Sequence, residues 1–153
     1  MNYILFDVNR ESLFPLTHTR PISEIRIGIL TIKEKWAQHL GSQPSTQTAD
    51  YLQVKYPLHK ETDNVYIHAG VCPNKALVTA IQQLDDGEGL YAGDTLLAYR
   101  NVAHQQVSFT EEFTQIEKLW HIFQYNATEL QDDYDLLTAG RSSQNLSHTN
   151  LVM

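Results

Sequence analysis

The sequence predicts a single α/β domain on a mixed, mainly parallel sheet, and three observations lead to that class. Residues 3–8 form a short, nearly continuous apolar run, the pattern of a strand buried on both faces. A loop follows, and then apolar residues recur at helical spacing. The same order of strand, loop and helix returns in the middle of the chain, which is the alternation that builds parallel sheets.

The elements can be justified in order. Residues 9–21 hold Pro15, Pro21 and a Thr17-His18-Thr19 cluster, which disfavour helix and predict a loop. Ile29, Ile32, Trp36 and Leu40 then mark a helix with Gly41 as its C-terminal cap. Residues 41–50 are rich in Ser, Thr and Gln and read as a surface connection with no core positions. Residues 51–56 alternate weakly and fit a strand or a helical turn. Asn64–His68 is a second strand, after which Asn74 caps a helix presenting Leu77, Ala80, Ile81 and Leu84 on one face. Residues 89–91 and 95–99 flank Ala92-Gly93-Asp94 and predict a hairpin. Ile116, Leu119, Trp120 and Phe123 share a helical face, and a further helix is expected from Asn126, with Leu130, Tyr134 and Leu137 inside and Gly140 at its end. The domain is expected over residues 1–141, with polar residues 142–153 as the start of a linker.

Composition narrows the partners. With 153 residues, 42% of them hydrophobic and 19% charged, the chain can bury about 70% of its unfolded surface and needs no metal or disulfide staple. A formal net charge of −7 leaves no basic stripe, so extended nucleic acid and anionic membrane are not expected partners. A small anion can still be captured, because a few arginines act locally. Cys72 is the single cysteine, which excludes an internal disulfide and a Cys-based zinc site and suits a reducing, cytoplasmic setting. No basic leader precedes the first apolar run, and no run reaches the roughly 18 residues that span a bilayer.

The chemistry is concentrated in Leu13-Phe14-Pro15-Leu16-Thr17-His18-Thr19-Arg20-Pro21, followed by Glu24-Ile25-Arg26-Ile27-Gly28. A loop after the first strand of an α/β sheet lies at the carboxyl ends of the strands, where ligands bind in these folds. Arg10, Arg20 and Arg26 offer forked donors to phosphate oxygens, and the two prolines restrict the backbone between them. The competing reading makes the arginines solvated or paired with Glu11 or Glu24. Asp7 ends the first strand and either touches a base or a metal or caps the next turn. His68, at the end of the second strand, is either a substrate contact or a hydrogen-bonded histidine. Seven histidines show no metal-ligand spacing, so a protein metal site is unassigned. Lys33, Glu34 and Lys35 are expected on a solvated face, while Trp36 and Trp120 are expected in the core. Asp132, Asp133 and Asp135 define no paired-carboxylate site, Asp94 belongs to its hairpin, and the absence of GxSxG and Walker loops removes hydrolase and ATPase classes.

The segment from Leu13 to Pro21 resembles the LxPLTxxRP core of sugar nucleotidyltransferases, the nucleotide-sugar pyrophosphorylases. The closer likeness is to a divergent bacterial group similar to the N-terminal domain of the bifunctional N-acetylglucosamine-1-phosphate uridylyltransferase. Arg26-Ile27-Gly28-Ile29-Leu30-Thr31-Ile32-Lys33-Glu34-Lys35-Trp36, Trp120-His121-Ile122-Phe123 with Asn126, and Leu136-Leu137-Thr138-Ala139-Gly140-Arg141 extend it towards the other end of the chain. The resemblance implies a three-layer Rossmann-like nucleotidyltransferase sandwich, smaller than usual, that joins UTP or dTTP to a sugar 1-phosphate and releases pyrophosphate. It implies Mg²⁺ as cofactor and Arg20 and Arg26 as catalytic phosphate ligands, with Arg10 and Thr17 as substrate-binding residues beside them, while Asp7 and His68 join as substrate-binding candidates from their places at the strand ends. It also implies a C-terminal acyltransferase-type domain beyond the linker, through which any homo-oligomer forms. The family's GxGTR loop corresponds here to Asn9-Arg10-Glu11-Ser12, which has no glycine, and Ile22 and Ser23 stand where a lysine follows the RP pair. Those departures point to an alternative, a catalytically degenerate nucleotide- or sugar-phosphate-binding module of a two-domain protein.

Overall fold

The computed structural model describes residues 1–142. The expected linker therefore lies, apart from Ser142, outside the described residues. The first apolar run forms β1 (Asn2–Phe6), its three central residues buried. After an irregular segment of three short 3₁₀ turns, β2 (Arg26–Ile27) and β3 (Leu30–Thr31) make a two-stranded ribbon that leads into α1 (Ile32–Leu40). Strand β4 (Ser45–Gln47), helix α2 (Asp50–Gln53), strand β5 (Asn64–His68) and helix α3 (Lys75–Gln82) follow. The chain closes with the hairpin β6 (Glu88–Ala92) and β7 (Thr95–Arg100), then β8 (Gln105–Ser108) and the long helix α4 (Leu119–Thr138).

The main sheet has the order β4-β1-β5-β7-β6-β8. Pairing is parallel for β1 with β4 and β5 and for β6 with β8, and antiparallel for β7 with both its neighbours. Five strands therefore run one way and only β7 opposes them, so the architecture is the mixed, mainly parallel Rossmann-like α/β fold expected. The carboxyl ends of β1, β4 and β5 share one edge, and Asp7, Thr48 and His68 stand there. On one face Leu5 and Ile67 meet Ile32 and Trp36 of α1 and Leu77 and Ile81 of α3 in a single buried core. The Trp36 indole N–H donates to Val71 O at 2.8 Å, so the largest core side chain buries no orphan donor.

Helix α1 begins three residues later than its apolar spacing suggests, because Thr31 caps it. The Thr31 hydroxyl accepts from the Glu34 amide at 3.2 Å, and the Glu34 carboxylate accepts from the Thr31 amide at 2.7 Å. Gly41 ends it in the left-handed conformation. Four expectations need correction. Residues 41–50 do contain core positions: Ser45 and Thr46 are buried in edge strand β4, whose polar composition hides its pairing with β1. Residues 116–138 are not two helices, since Ile116 lies buried before a single α4. That helix is also turned relative to expectation: Trp120, Leu130 and Tyr134 are exposed, and the buried side chains are Glu129 and Asp133. Lys35 is not solvated but buried against those two carboxylates.

Gly28 is a position where no other residue fits. Its φ is +74°, and an added Cβ would lie 2.7 Å from both Glu129 O and Asp133 Oδ2. Gly28→Ala is expected to destabilise the fold by about 2–4 kcal/mol, combining left-handed strain with overpacking, as a lower urea midpoint would register. Among the described residues, no helix is long and apolar enough to cross a membrane.

Candidate functional site

The loop from β1 to β2 is held by its own side chains. Thr17 is fully buried, and its hydroxyl donates to Arg10 O at 2.7 Å. In return the Arg10 guanidinium donates to Thr17 O at 2.5 Å and to the Tyr51 hydroxyl at 2.8 Å, while that hydroxyl donates to His18 O at 2.9 Å. Arg10 Nε sits 3.4 Å from Asp7 and makes no hydrogen bond. Asp7 is itself engaged: one oxygen accepts from the Ile22 amide at 2.9 Å and the other from the Thr48 hydroxyl at 2.5 Å. Burial pushes its carboxyl above the usual range, against the pull of the Thr48 and Ile22 hydrogen bonds and the Arg10 charge. Arg10, Thr17 and Asp7 thus form one network that fixes the loop's shape.

The other two arginines are placed differently. Arg20 and Arg26 line a polar concavity of about 350 Å³ together with Thr19, Glu24, Lys55 and Tyr56. Three cations from three segments face one carboxylate there, and Glu24 already pairs with Lys33 at 3.6 Å. Arg26 is more than half exposed and lies 3.6 Å from Glu34. Arg20 and Lys55 form no ion pair among the described residues. Lys55 carries no sequence signal: it follows a four-residue helix inside a weakly alternating segment, and only the fold brings it beside Arg20.

A second concavity, of about 360 Å³, opens at the carboxyl ends of β1 and β5. Asn9, Glu11, Ser12, His68, Glu117 and Lys118 line it with Val8 and Ile116. The loop after β1 contributes to both hollows, its beginning to this one and its end to the cationic one. His68 Nδ1 accepts from the Gly70 amide at 3.0 Å, which leaves Nε2–H as the ring's donor. Burial lowers the His68 pKa below 6.5, with Glu117 opposing. The folded protein therefore holds this ring neutral, and its contribution to stability is full above 6.5 and declines as pH falls through that value towards the depressed folded pKa. Thermal melts at pH 7.5 and 5 should show a larger loss for the natural chain than for His68→Gln. Equal losses would remove His68 from that account.

A third cluster supports the site from behind. The Lys35 ammonium lies 2.5 Å from Asp133 and 3.0 Å from Glu129. Asp133 Oδ2 also accepts from the Ile29 and Leu30 amides at 2.8 and 3.0 Å, and Asn126 accepts from the Gly28 amide at 2.9 Å. Helix α4 thereby grips the ribbon that carries Arg26. Burial and the neighbouring Glu129 push the Cys72 thiol well up, so it is no nucleophile.

Among the described residues, no group of three or more His, Cys, Asp or Glu gathers, and both Asp7 oxygens are already used. What the arrangement offers is neutralisation of a small polyanion beside the strand ends. No curated protein matches the chain. The family model for sugar nucleotidyl transferases matches residues 3–142, which span the strand-end hollow, the cationic hollow and the helix that braces them, and the chain belongs to that family.

Proposed function

We propose that this chain joins UTP or dTTP to a sugar 1-phosphate, with N-acetylglucosamine 1-phosphate first among the sugars, in the cytoplasm. A phosphate oxygen of the sugar attacks the nucleotide α-phosphorus, a new P–O bond forms, and the bond to the β-phosphate breaks as pyrophosphate leaves with the electron pair. The observation that carries this reading is the convergence of Arg20, Arg26 and Lys55 on one polar hollow in a protein of net charge −7. Arg20 and Arg26 take the phosphate oxygens, and Lys55 adds a third charge as negative charge develops. Arg10, Thr17 and Asp7 act one step back by fixing the loop. The hollow lined by His68, Ser12 and Asn9 has donors and acceptors suited to nucleoside or sugar hydroxyls. Mg²⁺, implied by the family resemblance, requires no protein cluster if it arrives on the nucleotide's own phosphates.

A second reading, a nucleotide- or sugar-phosphate-binding module without turnover, is favoured by one observation. The loop start Asn9-Arg10-Glu11-Ser12 has no glycine and winds into a 3₁₀ turn, so the backbone presents side chains where close approach to a triphosphate calls for none. Incubation with UTP or dTTP, Mg²⁺ and a panel of sugar 1-phosphates, with pyrophosphate measured, separates the two. Release of pyrophosphate supports transfer. Thermal stabilisation by nucleotide without release supports the module.

A further inference from the structure

Helix α4 carries two apolar faces, and the fold uses one. Ile122 and Tyr125 turn towards the core, where Glu129 and Asp133 lock the helix to Lys35 and the ribbon. The other face is a stripe of Trp120, Phe123, Ala127, Leu130, Tyr134 and Leu137, spaced by three, four, three, four and three residues. That alternation is the period of 3.5 with which one helix seats against another. Trp120 is 62% exposed, Phe123 83%, Leu130 46% and Tyr134 55%. Nothing in the domain's own stability requires aromatic residues there.

We infer that this stripe is the contact through which two copies of the chain pair, α4 against α4. Three properties favour a second copy over an unrelated partner. The heptad spacing is self-complementary, so the same residues serve both sides of a two-fold interface. On one flank Gln124, Gln131 and Thr138 are uncharged, and on the other Asn126 is bonded to the Gly28 amide and Asp133 is buried against Lys35, so two chains of net charge −7 can meet there without opposing like charges. The exposed aromatic and leucine side chains present on the order of 500 Å² per copy, so a pair buries about 1,000 Å², the lower bound of a specific interface. Aromatic anchors are also the residues that dominate such contacts.

Sedimentation of the full chain from low micromolar to near-millimolar concentration tests this, with Trp120 emission as a second readout, because buried Trp36 provides a fixed background. The expected result is a reversible dimer, blue-shifted Trp emission as it forms, and association at least about tenfold weaker in Phe123→Glu. Ala127→Cys, at the centre of the stripe, should oxidise to a cross-linked dimer while Thr79→Cys on α3 does not. A monomer at every concentration overturns the inference, including one whose Trp120 is shielded from quencher by another segment of its own chain. A dimer unaffected by Phe123→Glu and Leu130→Glu overturns it equally.

Discussion

Asp133→Ala should destabilise the protein by about 3–5 kcal/mol, the largest loss expected from any single substitution considered, since it strands a buried charge. The lost carboxylate leaves the buried Lys35 ammonium with Glu129 alone and removes the acceptor for the Ile29 and Leu30 amides. Against a total stability of about 5–15 kcal/mol, this is a large fraction. Urea denaturation measures it directly. Two controls isolate the cause. Asp132→Ala, one residue away and exposed, should change stability by no more than about 0.5 kcal/mol. Lys35→Met with Glu129→Met and Asp133→Leu removes all three charges and should recover part of the loss, because apolar side chains of similar volume need no compensating charge, while the Ile29 and Leu30 amides still lack their acceptor. An Asp133→Ala midpoint equal to that of the natural chain would contradict the bracing role assigned to α4.

Arg20→Ala should lower kcat/KM for nucleotidyl transfer by about 10²–10³-fold while leaving the denaturation midpoint within about 0.5 kcal/mol of the natural chain. The two halves of that expectation come from the same fact. Arg20 is exposed and forms no ion pair among the described residues, so the fold loses nothing with it, whereas a phosphate in the cationic hollow loses a forked donor. Arg10→Ala should show the reverse emphasis: it frees Tyr51 and Thr17 O and leaves Asp7 without its nearest cation, so stability falls together with activity. If Arg20→Ala and Arg10→Ala behave alike in both assays, the division between a phosphate-facing arginine and a loop-fixing one is wrong.

Much of the scaffold was legible because apolar periodicity reports burial. The runs at β1 and β5, the capped helices α1 and α3 and the hairpin β6–β7 all declare themselves through residues that must leave water. Edge strands do not: β4 is Ser-Thr-Gln and β8 is Gln-Gln-Val-Ser, and each is held by backbone pairing to one neighbour. Helix α4 misleads for a sharper reason. Periodicity identifies an apolar stripe but not what faces it, and here the core side is anchored by an ion cluster with partners about a hundred residues away in sequence. The arginine-bearing loop was visible as a unit, yet its three arginines look equivalent in sequence. Only the fold separates Arg10, tied to Tyr51 across 41 positions, from Arg20 and Arg26, which share a hollow with Lys55.

Calorimetric titration of UTP into the natural chain and into Arg20→Ala combined with Lys55→Ala tests the cationic hollow most directly. The account predicts measurable binding by the natural chain and an affinity at least about tenfold weaker in the variant, at an unchanged melting temperature. Equal affinity in the two proteins would contradict it, and would place the nucleotide's phosphates elsewhere on the molecule.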